Sequence, residues 1–414
     1  MLTLASRSSL SKVWIKSCRS ALVHEQLAAT GGKIGVYSFR LPAVAFVVPP
    51  PQPQTPTTTN PTFRLGYRPE LDGMRGISIL LVLGLHLTPS LVPGGFLGVD
   101  VFFVLSGFLI TSLLLQEWSR RNSISLKDFY VRRVLRLGPG LAAYLLSLGA
   151  YAFVFLKKED ALDIYLGIAL TLSYVSNWVI ALKPDFPIGI LAITWSLAVE
   201  EQFYLVWPMI LSLMLTFKLH RNWIFIALVL GIVSVAVNRA ILWHVGASVR
   251  RLYYATDTHA DGLLLGCLVG CLVCWDLLPK SRWLEVLMKC AALAFAFFIV
   301  FLVLTTKHDA PLLYVGGFSL AALGVAVTVL TLVSCPSGPV ATVLRFRPLV
   351  WLGRISYGLY LWHWPVRGLV FGRSAHPSAK QLIASVVLSL AITSLSFYFV
   401  ELPFLRWKKR FSRA

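Results

Sequence analysis

Apolar side chains run along this chain in long blocks, at 77–91, 96–116, 137–156, 162–182, 193–216, 223–245, 255–274, 286–305, 312–334, 352–372 and 381–400, with short polar stretches between them. A helix rises about 1.5 Å per residue, so most blocks have the length that crosses a hydrocarbon layer of roughly 30 Å. The strands of a membrane barrel would alternate in polarity, and these blocks do not. The pattern therefore predicts an all-α fold, a polytopic membrane helix bundle.

The basic residues between the blocks set its orientation. Arg64, Arg68 and Arg75 precede or open the first block, and Arg120, Arg121, Lys127, Arg132, Arg133 and Arg136 lie between the second and third. Both stretches are expected in the cytoplasm, with the turn at Pro89 to Gly95 outside. Arg406, Lys408, Lys409, Arg410 and Arg413 put the C-terminal tail inside as well. Two cytoplasmic termini need an even number of crossings, so the eleven blocks are expected to make ten transmembrane helices, one block being re-entrant or misassigned. The expected location is the plasma membrane, the inner membrane if the source is bacterial.

Composition agrees and adds limits. Of 414 residues 57% are hydrophobic and 14% charged, and the mean hydropathy is +0.73, too apolar for a soluble domain. The net charge of +20 could suggest a nucleic-acid partner, but the positive-inside bias already accounts for it, and no nucleic acid is expected. Residues 1–62 form a basic extension with Glu25 as its one acid, ending in a Pro/Thr/Gln tract, and are expected to be disordered. The membrane domain follows at 63–405 and the basic tail at 406–414. Cys267, Cys271 and Cys274 share a helix face. Among so many small residues close helix packing explains them better than a metal, and no metal is expected.

Ionisable groups inside apolar blocks suggest function, because they are costly there. Arg75 and His86 are eleven residues apart, which returns them to nearly one helix face about 16 Å apart. Asp100 lies as far beyond the turn as His86 lies before it, so antiparallel packing is expected to set the two side by side, the carboxylate orienting the imidazole. Asp72, at the start of the same hairpin, is a further polar group for the cavity or for structure. Arg133 and Arg136 share a face and suit a phosphorylated donor, although anchoring or contact with anionic lipid would use them equally well. Glu200 and Glu201, about 100° apart on a helix, cannot face one cavity, and at least one is expected in a structural ion pair. His259 and Asp261 either line the cavity or cap their helix. His363, among aromatics, fits a sugar-stacking site or an interfacial belt, the belt being the more frequent reason for such a cluster.

Five motifs in order then carry a resemblance: Leu-Asp-Gly-Met-Arg-Gly with its Arg-x10-His spacing, Gly-Val-Asp-Val-Phe-Phe-Val-Leu-Ser-Gly-Phe-Leu-Ile, Arg-x-x-Arg, Trp-Ser-Leu-Ala-Val-Glu-Glu-Gln-Phe-Tyr, and Ile-Ser-Tyr-Gly-Leu-Tyr-Leu-Trp-His-Trp-Pro. Over about residues 67–405 the chain resembles the membrane acyltransferase-3 family of sugar O-acyltransferases. The resemblance implies transfer of an acyl group, commonly acetyl, from cytoplasmic acyl-CoA to a hydroxyl of an extracytoplasmic glycan or glycolipid, with no bound cofactor. It assigns donor binding to Arg75, Arg133 and Arg136 and catalysis to His86 and Asp100, leaving open whether His86 is a base or a covalent carrier. Two features depart from it. His259 stands where many members have arginine, and no hydrolase-like domain follows the last block, so transfer outside would need this domain alone or a separate transferase. A proton-coupled transporter is the other reading of buried His, Asp, Glu and Arg, but the internal repeats it requires are not evident.

Overall fold

The structure, a computed structural model, describes residues 65–372, 374 and 377–408. The extension at 1–62 and all but the first residues of the tail lie outside them. Among the described residues every regular element is helical. The helices are α1 (Pro69–Leu87), α2 (Leu97–Arg121), α3 (Leu126–Phe155), α4 (Lys158–Leu172), α5 (Ser176–Leu182), α6 (Trp195–Thr216), α7 (Arg221–His244), α8 (Val249–Tyr254), α9 (Thr256–His259), α10 (Asp261–Cys274), α11 (Arg282–Thr305), α12 (Phe318–Ser334), α13 (Pro339–Leu344), α14 (Arg347–Phe371), α15 (Ala379–Leu395) and α16 (Leu402–Lys408).

Several helices start before their apolar blocks because the polar first turns find partners. α1 opens with a proline in its first turn, and its buried Glu70 is held by Arg345. α3 opens eleven residues before its block, where Ser125 Oγ accepts from the Asp128 N–H. Asn122, in the left-handed region, closes α2. The block at 162–182 is not one helix, since α4 and α5 meet at a bend of 117°.

Among the described residues six helices are long and apolar enough to cross a membrane, and the α4–α5 pair would make a seventh. Four further blocks, now α1, α6, α10 and α14, are shorter or less apolar: α10 has 14 residues, and the other three are diluted by charged and polar aromatic residues. Burial separates centre from periphery. Of its most apolar stretch α2 buries 83%, whereas α7 buries 17% and α11 and α15 22%, and their exposed Leu230, Phe297 and Val387 face outward.

The central helices approach very closely. A Cβ on Gly107 of α2 would lie 1.9 Å from the Leu263 carbonyl oxygen of α10, and one on Gly353 of α14 would lie 1.8 Å from the Asp72 carbonyl oxygen of α1. Only glycine fits at such crossings. Cys267 and Cys271 are fully buried in the same region, packed with Ile110, Leu114 and Trp207.

Candidate active site

Five helices, α1, α2, α3, α6 and α14, surround a cavity with an empty volume of about 740 Å³, mouth included. Arg75, Arg133 and Arg136 line it with Ser106, Glu200, Tyr204, Ser356, Tyr357 and Tyr360. The three-residue spacing turns Arg133 and Arg136 to one side of α3. Arg75 Nε and Nη2 donate to Ser356 Oγ at 3.3 and 3.2 Å. The Arg133 guanidinium lies 3.6 Å above the Tyr204 ring, and its buried Nε has no partner among the described residues. Three guanidinium groups face one carboxylate, so the cavity is fit for an anion with several acceptor oxygens, such as a phosphate.

The two adjacent glutamates part as their helix geometry requires. Glu200 faces this cavity, where Ser106 Oγ donates to its Oε1 at 2.8 Å and Tyr204 to its Oε2 at 3.1 Å. Glu201 lines a neighbouring cavity beside Tyr174 and Gln202. The ion pair expected for at least one of them does not form among the described residues, because hydroxyl groups, not a guanidinium, meet Glu200. Asp72 lies outside the cavity, at the α1–α14 contact, 3.8 Å from Arg354 Nε.

His86, next to last in α1, does not meet Asp100. Its Nδ1 is 2.8 Å from Nε2 of the buried His363. The rings are nearly parallel, with Trp364 edge-on to His86. His363 Nδ1 reaches the Leu359 carbonyl at 3.0 Å, and Arg367 Nε donates to the His86 carbonyl oxygen at 2.8 Å. His363 therefore belongs to a buried polar contact and not to an interfacial belt.

Helix rotation explains the misplaced partner. The α2 face against α1 is marked by Gly98, whose Cβ would lie 2.4 Å from the Ser78 carbonyl oxygen. Two residues on, Asp100 is turned about 200° away, toward α9 and α10. There His259 Nε2 lies 3.0 Å from Asp100 Oδ1, and its Nδ1 lies 2.6 Å from the Tyr253 carbonyl oxygen. Asp261 does not cap α10. It binds Arg239 through both oxygens, at 3.2 and 2.8 Å, and accepts from Ser319 at 2.6 Å. Arg239, Asp261, His259 and Asp100 are all about 1–2% exposed. This cluster ties α2, α7, α9, α10 and α12 together.

Arg239, Arg367 and Glu401 were not among the expected site residues. Arg239 had a visible signal, a lone charge in an apolar block. Glu401, buried with its Oε1 3.5 Å from Ser396 Oγ, stands just past the end of its block. Ser356 and Tyr204 lie within two of the five motifs, but their uncharged side chains gave no cue to singling them out from the packing residues around them.

Comparison with known proteins adds a second line of observation. A family model described as an acyltransferase domain matches residues 68–401. The chain is 36% identical over 359 residues to YrhL of Bacillus subtilis, provisionally named a peptidoglycan O-acetyltransferase, covering 81% of this chain and 55% of YrhL. It is 35% identical over 351 residues to the peptidoglycan O-acetyltransferase OatA of Listeria monocytogenes, covering 81% and 56%. A Staphylococcus aureus protein provisionally named an O-acetyltransferase is 34% identical over 354 residues, covering 82% and 58%. The chain thus spans a little over half the length of these curated relatives. No solved structure matches it.

Proposed function

This chain belongs to the membrane acyltransferase-3 family, and from that premise we propose that it moves an acyl group, acetyl first among candidates, from cytoplasmic acyl-CoA to a hydroxyl of a glycan or glycolipid outside. The observation that carries this reading is the convergence of Arg75, Arg133 and Arg136 on one cavity, from which α1 leads about 16 Å outward to His86. Phosphates of the donor pair with the guanidinium forks, and the thioester end extends toward His86. The relatives named for peptidoglycan O-acetylation make that glycan the first acceptor to test. Besides donor and acceptor, the surrounding lipid is the partner this reading requires.

In the reaction the acceptor O–H gives its proton to His86, its oxygen forms the bond to the acyl carbon, and the carbon–sulfur bond breaks. The CoA thiolate then takes the proton back from the imidazolium. In the covalent variant the imidazole nitrogen attacks the acyl carbon first and passes it on. Asp100 serves this site indirectly, by holding α2 against α9 through His259.

Topology follows the same reading: ten crossings, with α4 and α5 dipping in from the outer side and returning at their 117° bend. Inner loops then carry at least two basic residues each, such as Lys218 with Arg221 and Arg345 with Arg347, while the outer stretch 157–185 balances Lys157, Lys158 and Lys183 with Glu159, Asp160 and Asp185. Both termini are cytoplasmic.

The test is the O-acetyl content of cell-surface glycans in the source organism with the gene present, deleted, and restored as wild type or His86→Ala. Loss on deletion and recovery with the wild type alone supports the reading. Full recovery with His86→Ala contradicts it.

A further inference from the structure

We infer that His363 is a positioning residue that fixes His86 as its Nδ1–H tautomer and leaves His86 Nε2 as the reacting atom. The chemistry rests on the acyl-transfer reading, whereas the geometry stands apart from it. A backbone carbonyl only accepts hydrogen bonds, so His363 Nδ1, 3.0 Å from the Leu359 oxygen, must donate. A neutral His363 then has a bare Nε2, which can only accept. His86 Nδ1, 2.8 Å from that atom, must be the donor. The neutral His86 ring is left with its lone pair on Nε2, which makes no hydrogen bond among the described residues.

The alternative, a charged ring in the pair, has no counterion. No carboxylate pairs with either histidine among the described residues; the ion pair that does contain a histidine joins His259 to Asp100. The nearest charge is a cation, Arg367, held on the His86 carbonyl and 5.0 Å from the centre of the Trp364 ring. An unpaired positive ring at membrane depth is costly.

The grip is twofold. His363 and Arg367 are four residues apart on one face of α14, and one holds the ring of His86 while the other holds its backbone. That fixes both the tautomer and the ring direction, as a second partner does for catalytic and metal-bound histidines in general.

The experiment is nitrogen-15 NMR of the full chain, labelled at histidine and held in lipid bilayers, with the His86 signals identified by their loss in His86→Gln. The expected result is a protonated Nδ1 and an unprotonated Nε2. In the same preparation, transfer from labelled acetyl-CoA is measured for two variants. His363→Gln offers an oxygen that can accept from His86 Nδ1–H and is expected within about tenfold of wild type. His363→Leu fills the space without an acceptor; it is expected to lose about 100-fold or more and to show a mixture of His86 tautomers. An Nε2–H tautomer in the wild type, or equal losses in the two variants, overturns the inference. A wild type with the expected tautomer but no transfer to any acceptor supports the positioning role and removes the acyl-transfer reading instead.

Discussion

The arginines of the cavity and the buried Arg239 look alike in the sequence and do opposite work. Arg239 has both a carboxylate and hydroxyl partner and is 1% exposed, so its charge is spent on holding helices together. Removing one partner of such a pair strands the other, at about 3–5 kcal/mol. Asp261→Ala is therefore expected to lower stability by about that much, read as reduced thermal unfolding temperature in detergent, while unchanged stability would show that the pair is not structural. Among the described residues the cavity arginines have no carboxylate partner at hydrogen-bond distance. A charge-assisted hydrogen bond contributes about 1.5–3 kcal/mol, so Arg133→Ala and Arg136→Ala should each weaken CoA binding by about 10- to 100-fold in calorimetry while leaving unfolding nearly unchanged. Equal binding by wild type and both variants would move the donor site elsewhere.

At the scale of helices, two close crossings limit what the fold tolerates. Gly107→Val and Gly353→Val force a side chain into a carbonyl oxygen, and each should abolish stable expression of the full chain, measured as detergent-extracted, monodisperse protein. Normal yield of either would mean that the helices can separate. How much of this was legible from sequence differs by element. Apolar blocks predicted the helices, since burial in lipid is a local property that each block carries with it. The starts at Pro69 and Leu126 lie before the blocks, the first because distant Arg345 holds Glu70 and the second because the adjacent Ser125 caps the turn. Pairing was the least legible. Spacing placed Arg75 and His86 on one face of a single helix, a matter of 3.6-residue geometry. It could not tell that a 200° turn between Gly98 and Asp100 sends the carboxylate to His259, 159 residues away, or that His363 comes from 277 residues away to meet His86. Such contacts depend on how separate helices rotate against one another, which no local pattern records.

For the whole molecule, transfer as proposed needs donor and acceptor to meet from opposite sides of a ten-helix bundle with the α4–α5 pair returning to the outer face. Single cysteines at Ser90, Lys157 and Asp185 should then react with an impermeant reagent from outside, and those at Ser281 and Ser337 only after the membrane is opened. Labelling of Asp185→Cys from inside would make that pair a full crossing. Transfer across the bilayer can be measured in sealed vesicles holding the purified full chain, with acetyl-labelled CoA on the side of the arginine cavity and a soluble peptidoglycan fragment on the other. Wild-type protein should leave label esterified to the fragment, and His86→Ala should leave none. Transfer that survives His86→Ala undiminished, or label that crosses only as free acetyl-CoA, would contradict transfer through His86.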